Sequence, residues 1–207
     1  MREYLVEALI LNKTPSNEID FTVDLYTKEL GRIKAKITSG RKITSKLSPH
    51  LEPLTFSLVR LTEKNGFVVT DALTKNNLSY FRKHPVSFAK ALKLISAIRE
   101  LIYSEETDPK LWFWLKKSLL KGEIFYNQFL KIMGYDPKLA ECRKCGLKFI
   151  NPVRSSETAS YSGNILSKEA GYGTSNGVKY FLVEDQIFLC RNCGFKVKGF
   201  LQILELD

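Results

Sequence analysis

The sequence predicts an α+β, multidomain chain with a barrel of five short strands, a helical middle and a four-cysteine zinc-ribbon-like lobe. Three observations predict it. Short β-rich runs separated by turn residues fill residues 1–78, apolar residues recur at helical spacing over 79–140, and the only cysteines form two Cys-x-x-Cys pairs within 141–207. The chain has 207 residues, of which 44% are hydrophobic and 26% charged, the balance of an ordinary globular protein.

The strands are expected at Tyr4–Leu11, Ile19–Thr27, Gly31–Thr38, Leu51–Thr62 and Gly66–Leu73. Turn signals separate them at Thr14-Pro15-Ser16-Asn17, Glu29-Leu30-Gly31, Ser39-Gly40 and Asn65-Gly66. Five strands in so short a stretch fit a small closed barrel of the OB type.

Helical period begins after residue 78. Pro85 suits the first turn of a helix, and Phe88, Ala91, Leu92, Ile95, Ile98 and Ile102 then form one apolar stripe. Asp108-Pro109 reads as an N-cap followed by a first-turn proline, opening a helix through Trp112, Leu115 and Leu119. A third helix is expected near Glu123–Met133, with Phe125, Phe129 and Ile132 inward and Gly134 at its end. Aromatic residues here are expected to be core.

The lobe over 141–207 rests on Cys142, Cys145, Cys190 and Cys193, each pair followed by a glycine that permits a tight turn. Four sulfur ligands favour one tetrahedral Zn²⁺ per chain, and a site closed by four cysteines leaves no position for substrate, so the metal is expected to be structural. Two disulfides, a rubredoxin-like iron site and a thioredoxin-like redox pair are the competing readings; no export signal favours the first and no βαβ pattern the last. Ser155–Gly177, rich in Ser, Thr, Gly and Asn, reads as an exposed loop. Val178–Val183 and Gln186–Cys190 read as a hairpin turning at Glu184-Asp185, which would deliver the second pair onto the first.

Net charge is +10, and it clusters. Lys28 to Lys46 holds seven basic residues against one acid, and Ala72 to Arg99 holds no acid at all. Clustered charge of this kind marks a polyanion binder. In the third strand Arg32, Lys34 and Lys36 alternate with Ile33, Ala35 and Ile37, so the cations share one face and the apolar residues point inward. The loop that follows adds Arg41, Lys42 and Lys46, which can wrap a phosphate backbone without reading bases. Tyr26 is a candidate to stack a base, or a half-buried strand tyrosine.

Catalysis is not expected. The two histidines, His50 and His84, have no sequence partner, and no phosphate-binding loop, nucleophile elbow or metal-type carboxylate cluster is present. The longest apolar run, Leu111–Leu115, is far too short to span a membrane, and the N-terminus runs straight into strand sequence, so no signal peptide and a cytoplasmic, nucleoid-associated location are expected.

Several stretches, in this order and spacing, resemble the bacterial DNA repair protein family RecO. They are Glu18-Ile19-Asp20, Tyr26-Thr27-Lys28-Glu29-Leu30-Gly31-Arg32, the basic loop Gly40-Arg41-Lys42 to Ser45-Lys46-Leu47, and Gly134-Tyr135-Asp136-Pro137-Lys138-Leu139 running into Cys142-Arg143-Lys144-Cys145-Gly146. The resemblance covers roughly residues 1–195 and implies a recombination mediator. Such proteins bind single- and double-stranded DNA, anneal complementary strands and, with RecR, help RecA replace the single-strand-binding protein SSB, whose acidic C-terminal tail they recognise. It places DNA contact on Arg32, Lys34, Lys36, Arg41, Lys42 and Lys46 and zinc on the four cysteines; the SSB tail is expected on the helical middle, whose acid-free first helix offers Lys90 and Lys93. The linker between the cysteine pairs is longer than that family leads one to expect. A zinc-ribbon RNA-binding protein of the translation or transcription machinery is the alternative, and an undetected enzyme, such as a nuclease, the third reading.

Overall fold

The computed structural model describes residues 1–42, 45–103, 107–147, 178–197 and 203–206. Ser155–Gly177, expected as a loop, lies outside the described residues. Five strands come first: β1 (Arg2–Pro15), β2 (Phe21–Thr27), β3 (Gly31–Ile37), β4 (Phe56–Glu63) and β5 (Phe67–Asn76). They pair in the order β1-β2-β3-β5-β4, and β1 also pairs with β4, so the sheet closes on itself. All pairings are antiparallel except β3 with β5, which is parallel and joins only at Ala35–Phe67 and Lys36–Val68. Leu51–Thr55, expected as the start of the fourth strand, instead forms the end of a 3₁₀ turn (Ser48–Leu51) and a bend before β4.

The interior is built from the inward side chains of alternating strands, among them Val6, Ile10, Val23, Leu25, Ile33, Ile37, Val59 and Leu61. β1 departs from simple alternation: Ala8, Leu9, Ile10 and Leu11 are all buried. Ala8 and Ile10 face the barrel interior, whereas Leu9 and Leu11 face the helices packed outside it. A strand covered on both faces needs a continuous apolar run, which is what Ala8-Leu9-Ile10-Leu11 supplies.

The helices are α1 (Ser79–Lys83), α2 (Pro85–Leu101), α3 (Pro109–Lys121) and α4 (Tyr126–Ile132). α3 begins as the sequence requires: an Asp108 carboxylate oxygen accepts from the N–H groups of Lys110 (2.8 Å) and Leu111 (3.1 Å), with Pro109 in the first turn. Gly122 ends it in the left-handed region at φ 75°, and a Cβ there would lie 2.5 Å from the Tyr80 ring. Trp112 joins helix to barrel, its ring centroid 6.1 Å from that of Tyr26 and 5.9 Å from that of Phe56. Tyr26 is therefore a core residue, only 1% exposed, and is unavailable to stack a base.

Two further residues face differently from expectation. In α2 the buried positions include Leu94 and Ala97, while Leu92 is exposed, because the helix packs against both α1 and β1 of the barrel. In α4 Tyr126 is buried and Phe125, just before the helix, is exposed.

A second sheet follows. β6 (Val178–Leu182) pairs antiparallel with β7 (Ile187–Cys190), the expected hairpin, and on its other edge with β8 (Ile203–Glu205), which the sequence did not announce. Phe181, Val183, Leu204 and Leu206 pack into the same apolar cluster as the helices. Tyr180 and Ile187 pack instead against the buried cysteines. One face of the sheet thus rests on the helical core and the other supports the cysteine pairs. Among the described residues no helix is long and apolar enough to cross a membrane.

Candidate nucleic-acid interface and metal centre

The four cysteine sulfurs, 45 residues apart in chain between Cys145 and Cys190, all lie within 4.8 Å of one another. Cys145 Sγ and Cys190 Sγ are 3.7 Å apart, far beyond a disulfide, and all four cysteines are free. A tetrahedron of sulfurs around Zn²⁺ at a Zn–S distance of about 2.3 Å has edges of about 3.8 Å. The donor set and its convergence therefore fit a metal ion, and the four residues could hold one.

Backbone hydrogen bonds shape each half of the site. The N–H of Cys142 donates to the Leu147 carbonyl at 2.7 Å, and that of Gly146 to the Cys142 carbonyl at 2.7 Å. Gly146 has φ 70°, as a tight turn requires. The N–H of Arg143 donates to the Phe188 carbonyl at 3.0 Å, tying the first pair to β7. Cys190 ends β7 and opens the single-turn helix α5 (Arg191–Gly194). The second glycine serves another purpose: a Cβ on Gly194 would sit 2.2 Å from the Tyr180 ring.

The thiols respond to their crowding. Burial pushes Cys142 up, but N–H groups at Cys190, Cys145 and Lys144 outweigh it and bring the thiol down to about 6. Cys193 is pushed up to about 12, first by its hydrogen bond with Cys190 and then by burial. Cys145 is also raised: the Leu147 N–H lowers it, but the sulfurs of Cys142 and Cys190 prevail. Thiols this close cannot all ionise unaided, and a bound cation would supply the compensating charge.

On the barrel, β3 alternates as expected, with Ile33, Ala35 and Ile37 buried and Lys34 and Lys36 exposed. The three cations of the row are not equivalent. Arg32 has a side chain only 14% exposed and forms a two-pronged pair with Asp24 of β2, Nε to Oδ1 at 3.0 Å and an Nη to Oδ2 at 2.7 Å. Its other Nη donates to the carbonyls of Arg99 and of Ile102, the latter at 2.6 Å, at the end of α2. Arg32 is thus a clamp between barrel and helix, where an open phosphate contact was expected.

Lys36 remains half-exposed but pairs with Asp20 at 2.9 Å. Asp20 is held down to about 2 by Lys36 first, then by the N–H of Ser39 and the side chain of Asn17. Arg41 is exposed and donates to the Asn17 carbonyl at 2.9 Å. Lys34, Lys42 and Lys46 are exposed, and their ammonium groups have no hydrogen bond or ion pair among the described residues. The structure therefore leaves Lys34, Lys36, Arg41, Lys42 and Lys46 on the surface and withdraws Arg32 from it.

Sequence reasoning put Asp20 and Asp24 on one strand face, too far apart to share a metal, but did not set them against the cation row. Asp24 on β2 and Asp20 just before it fall on one face, as the cations on β3 do, and each reaches diagonally to a cation of β3. The two histidines are engaged locally: His50 Nδ1 lies 2.9 Å from Thr74 Oγ1, and His84 Nδ1 lies 2.8 Å from the Tyr80 carbonyl.

Two grooves flank these elements. One, of about 610 Å³, is lined by Arg32 and Lys34 of β3, Phe67 at the start of β5, and Arg99 and Tyr103 at the end of α2. The other, of about 490 Å³, lies between α2 and the second sheet and is lined by Val86, Lys90, Lys93, Lys179, Glu205 and Leu206 among others.

Comparison with known proteins agrees with the N-terminal architecture. Residues 1–76 match the family model described as recombination protein O N terminal. The chain is 30% identical over 157 residues to a DNA repair protein RecO of Dehalococcoides mccartyi, covering 70% of this chain and 62% of the relative. It is 31% identical over 159 residues to the RecO of Heliobacterium modesticaldum, covering 70% and 57%, and 29% identical over 155 residues to that of Thermodesulfovibrio yellowstonii, covering 69% and 62%. The chain thus spans about three-fifths of the length of these curated relatives.

Proposed function

We propose, from the match of residues 1–76 to the RecO N-terminal family model, that the chain is a DNA repair and recombination mediator that binds DNA and anneals complementary strands. The observation that carries the reading is the set of exposed cations on and after β3: Lys34, Lys36, Arg41, Lys42 and Lys46. Cations aimed at phosphates hold single or double strands without reading sequence. They also lower the repulsion between two strands brought side by side, which is the electrostatic obstacle to annealing. The closed five-stranded sheet is read as an OB-type barrel, the four-cysteine site as a structural Zn²⁺ site, and the whole as a binding protein with no catalytic step.

The same reading assigns RecR as the partner with which RecA is loaded onto SSB-coated DNA. The acidic SSB tail is assigned to the groove beside α2, where Lys90 and Lys93 lie among apolar side chains, a combination suited to an anionic peptide with an apolar end. Reversing both charges, with Lys90→Glu and Lys93→Glu, is expected to weaken binding of a fluorescent tail peptide by at least about tenfold; unchanged affinity moves the tail elsewhere.

The direct test is annealing of two complementary labelled strands, bare and coated with cognate SSB. Acceleration on both is expected. Lys34→Glu combined with Arg41→Glu is expected to slow annealing and reduce the slope of log affinity against log salt by about 2, one per lost phosphate contact, with the fold intact. Tight binding without annealing, together with a preference for RNA in competition, would transfer the chain to the RNA-binding alternative.

A further inference from the structure

We propose that the groove between β3, β5 and the end of α2 is a stacking site for an unpaired base, with Tyr103 as its platform, so that this face prefers single-stranded to duplex DNA. The inference rests on the DNA-binding reading above and deepens it. Tyr103 is an aromatic residue 79% exposed at the rim of a groove of about 610 Å³, within the range of about 300–1,000 Å³ typical of ligand sites. An exposed aromatic face beside cations is the arrangement by which proteins bind single strands, the base on the ring and the phosphates on the cations.

The cations are in place. Lys34 lines the groove with its ammonium group uncommitted among the described residues. Arg99 lines it too, partly exposed, with a buried Nε that has no hydrogen-bond acceptor and lies 3.5 Å from Asp24 Oδ2 as an ion pair. Phe67 supplies a second aromatic wall, held edge-on to Tyr4 with ring centroids 5.9 Å apart. The acid that lines the groove, Glu63, accepts a hydrogen bond from Tyr4 Oη at 2.8 Å.

Topology makes the space. The parallel seam between β3 and β5 is only two residues long, so Arg32, Ile33 and Lys34, paired with β2 on one edge, run past the start of β5 with no strand beside them on the other. The Arg32 clamp then sets the far wall. By holding the carbonyls of Arg99 and Ile102, its guanidinium brings the end of α2, and with it the next residue, Tyr103, to the edge of β3. A strand lying along Lys36 and Lys34 would thus run toward Tyr103. A paired base is stacked inside its duplex and cannot reach the ring, which is why the site discriminates.

The test compares Tyr103→Ala and Tyr103→Phe with the unaltered chain on three ligands: an oligothymidylate, an abasic strand of equal length and a duplex. Tyr103→Ala is expected to lose roughly 5- to 150-fold in affinity for oligothymidylate, the range for loss of one stacked base. It should change abasic-strand and duplex binding less than about twofold, and Tyr103→Phe should retain the oligothymidylate affinity. Equal losses on all three ligands, or no loss on any, overturn the stacking site while leaving the DNA-binding reading intact. Failure of the unaltered chain to bind any of the three overturns that reading as well.

Discussion

Asp24→Ala is expected to destabilise the protein by about 3–5 kcal/mol, the usual cost of stranding a buried charge. Asp24 is almost fully buried and faces two guanidiniums, the largely covered Arg32 at 2.7 Å and the more exposed Arg99 at 3.5 Å. Without the carboxylate, Arg32 keeps only backbone carbonyls as partners, and two cations are left beside each other. Most of the cost falls on Arg32, because solvent screens Arg99. Against a typical total of about 5–15 kcal/mol, that is a large fraction. Urea unfolding measures it, with Lys34→Ala as the control, expected within about 0.5 kcal/mol of the parent because its side chain is exposed. Replacing both partners, Asp24→Leu with Arg32→Met, should recover part of the loss, since neither charge is then buried alone. A loss below about 1 kcal/mol for Asp24→Ala would mean that the pair is effectively solvated and the clamp weak.

Cys190→Ser is expected to abolish stoichiometric zinc binding and loosen the second sheet while the barrel stays folded. Cys190 is buried, ends β7 and sits opposite Val178 on β6, so the ligand and the hairpin register share one residue. Structural zinc contributes about 10–16 kcal/mol in isolated zinc-finger peptides. Here Phe181 and Leu204 give the sheet an anchorage of its own on the helical core, so the effect should be confined to the lobe. Metal analysis should find no zinc in the variant, and hydrogen exchange should rise at 178–190 while the amides of β1 and β4 keep their protection. Full zinc content in the variant would remove Cys190 from the ligand set.

The helices and knuckles were the most legible parts because their signals are local. Asp108-Pro109 caps α3 through bonds spanning two and three residues, and each Cys-x-x-Cys pair fixes its own turn. Where a face had to be chosen, local pattern was not enough. The stripe on α2 included Leu92 and omitted Leu94, since a helix covered from two sides has a wider buried arc than one stripe describes. Phe125 and Tyr126 exchanged roles for a similar reason: Tyr126 reaches the Lys90 carbonyl at 2.8 Å across the helix pair, a partner 36 residues away.

Residue order alone was enough to set the alternation of Arg32, Lys34 and Lys36 against Ile33, Ala35 and Ile37, and the tight turn of each Cys-x-x-Cys pair, because strand pleat and knuckle geometry follow from neighbours in the chain. The division of labour within the cation row was decided by tertiary structure. Arg32 meets Asp24 across a strand pair and the α2 carbonyls across as many as 70 residues, and those contacts turn one of three similar cations into a partly buried clamp. The groove before Tyr103 likewise exists because β3 outruns β5 and α2 ends beside it. Burial and partner are properties of the folded surroundings, and the α2 carbonyls that complete the clamp come from a segment whose approach leaves no mark in the local sequence of β3.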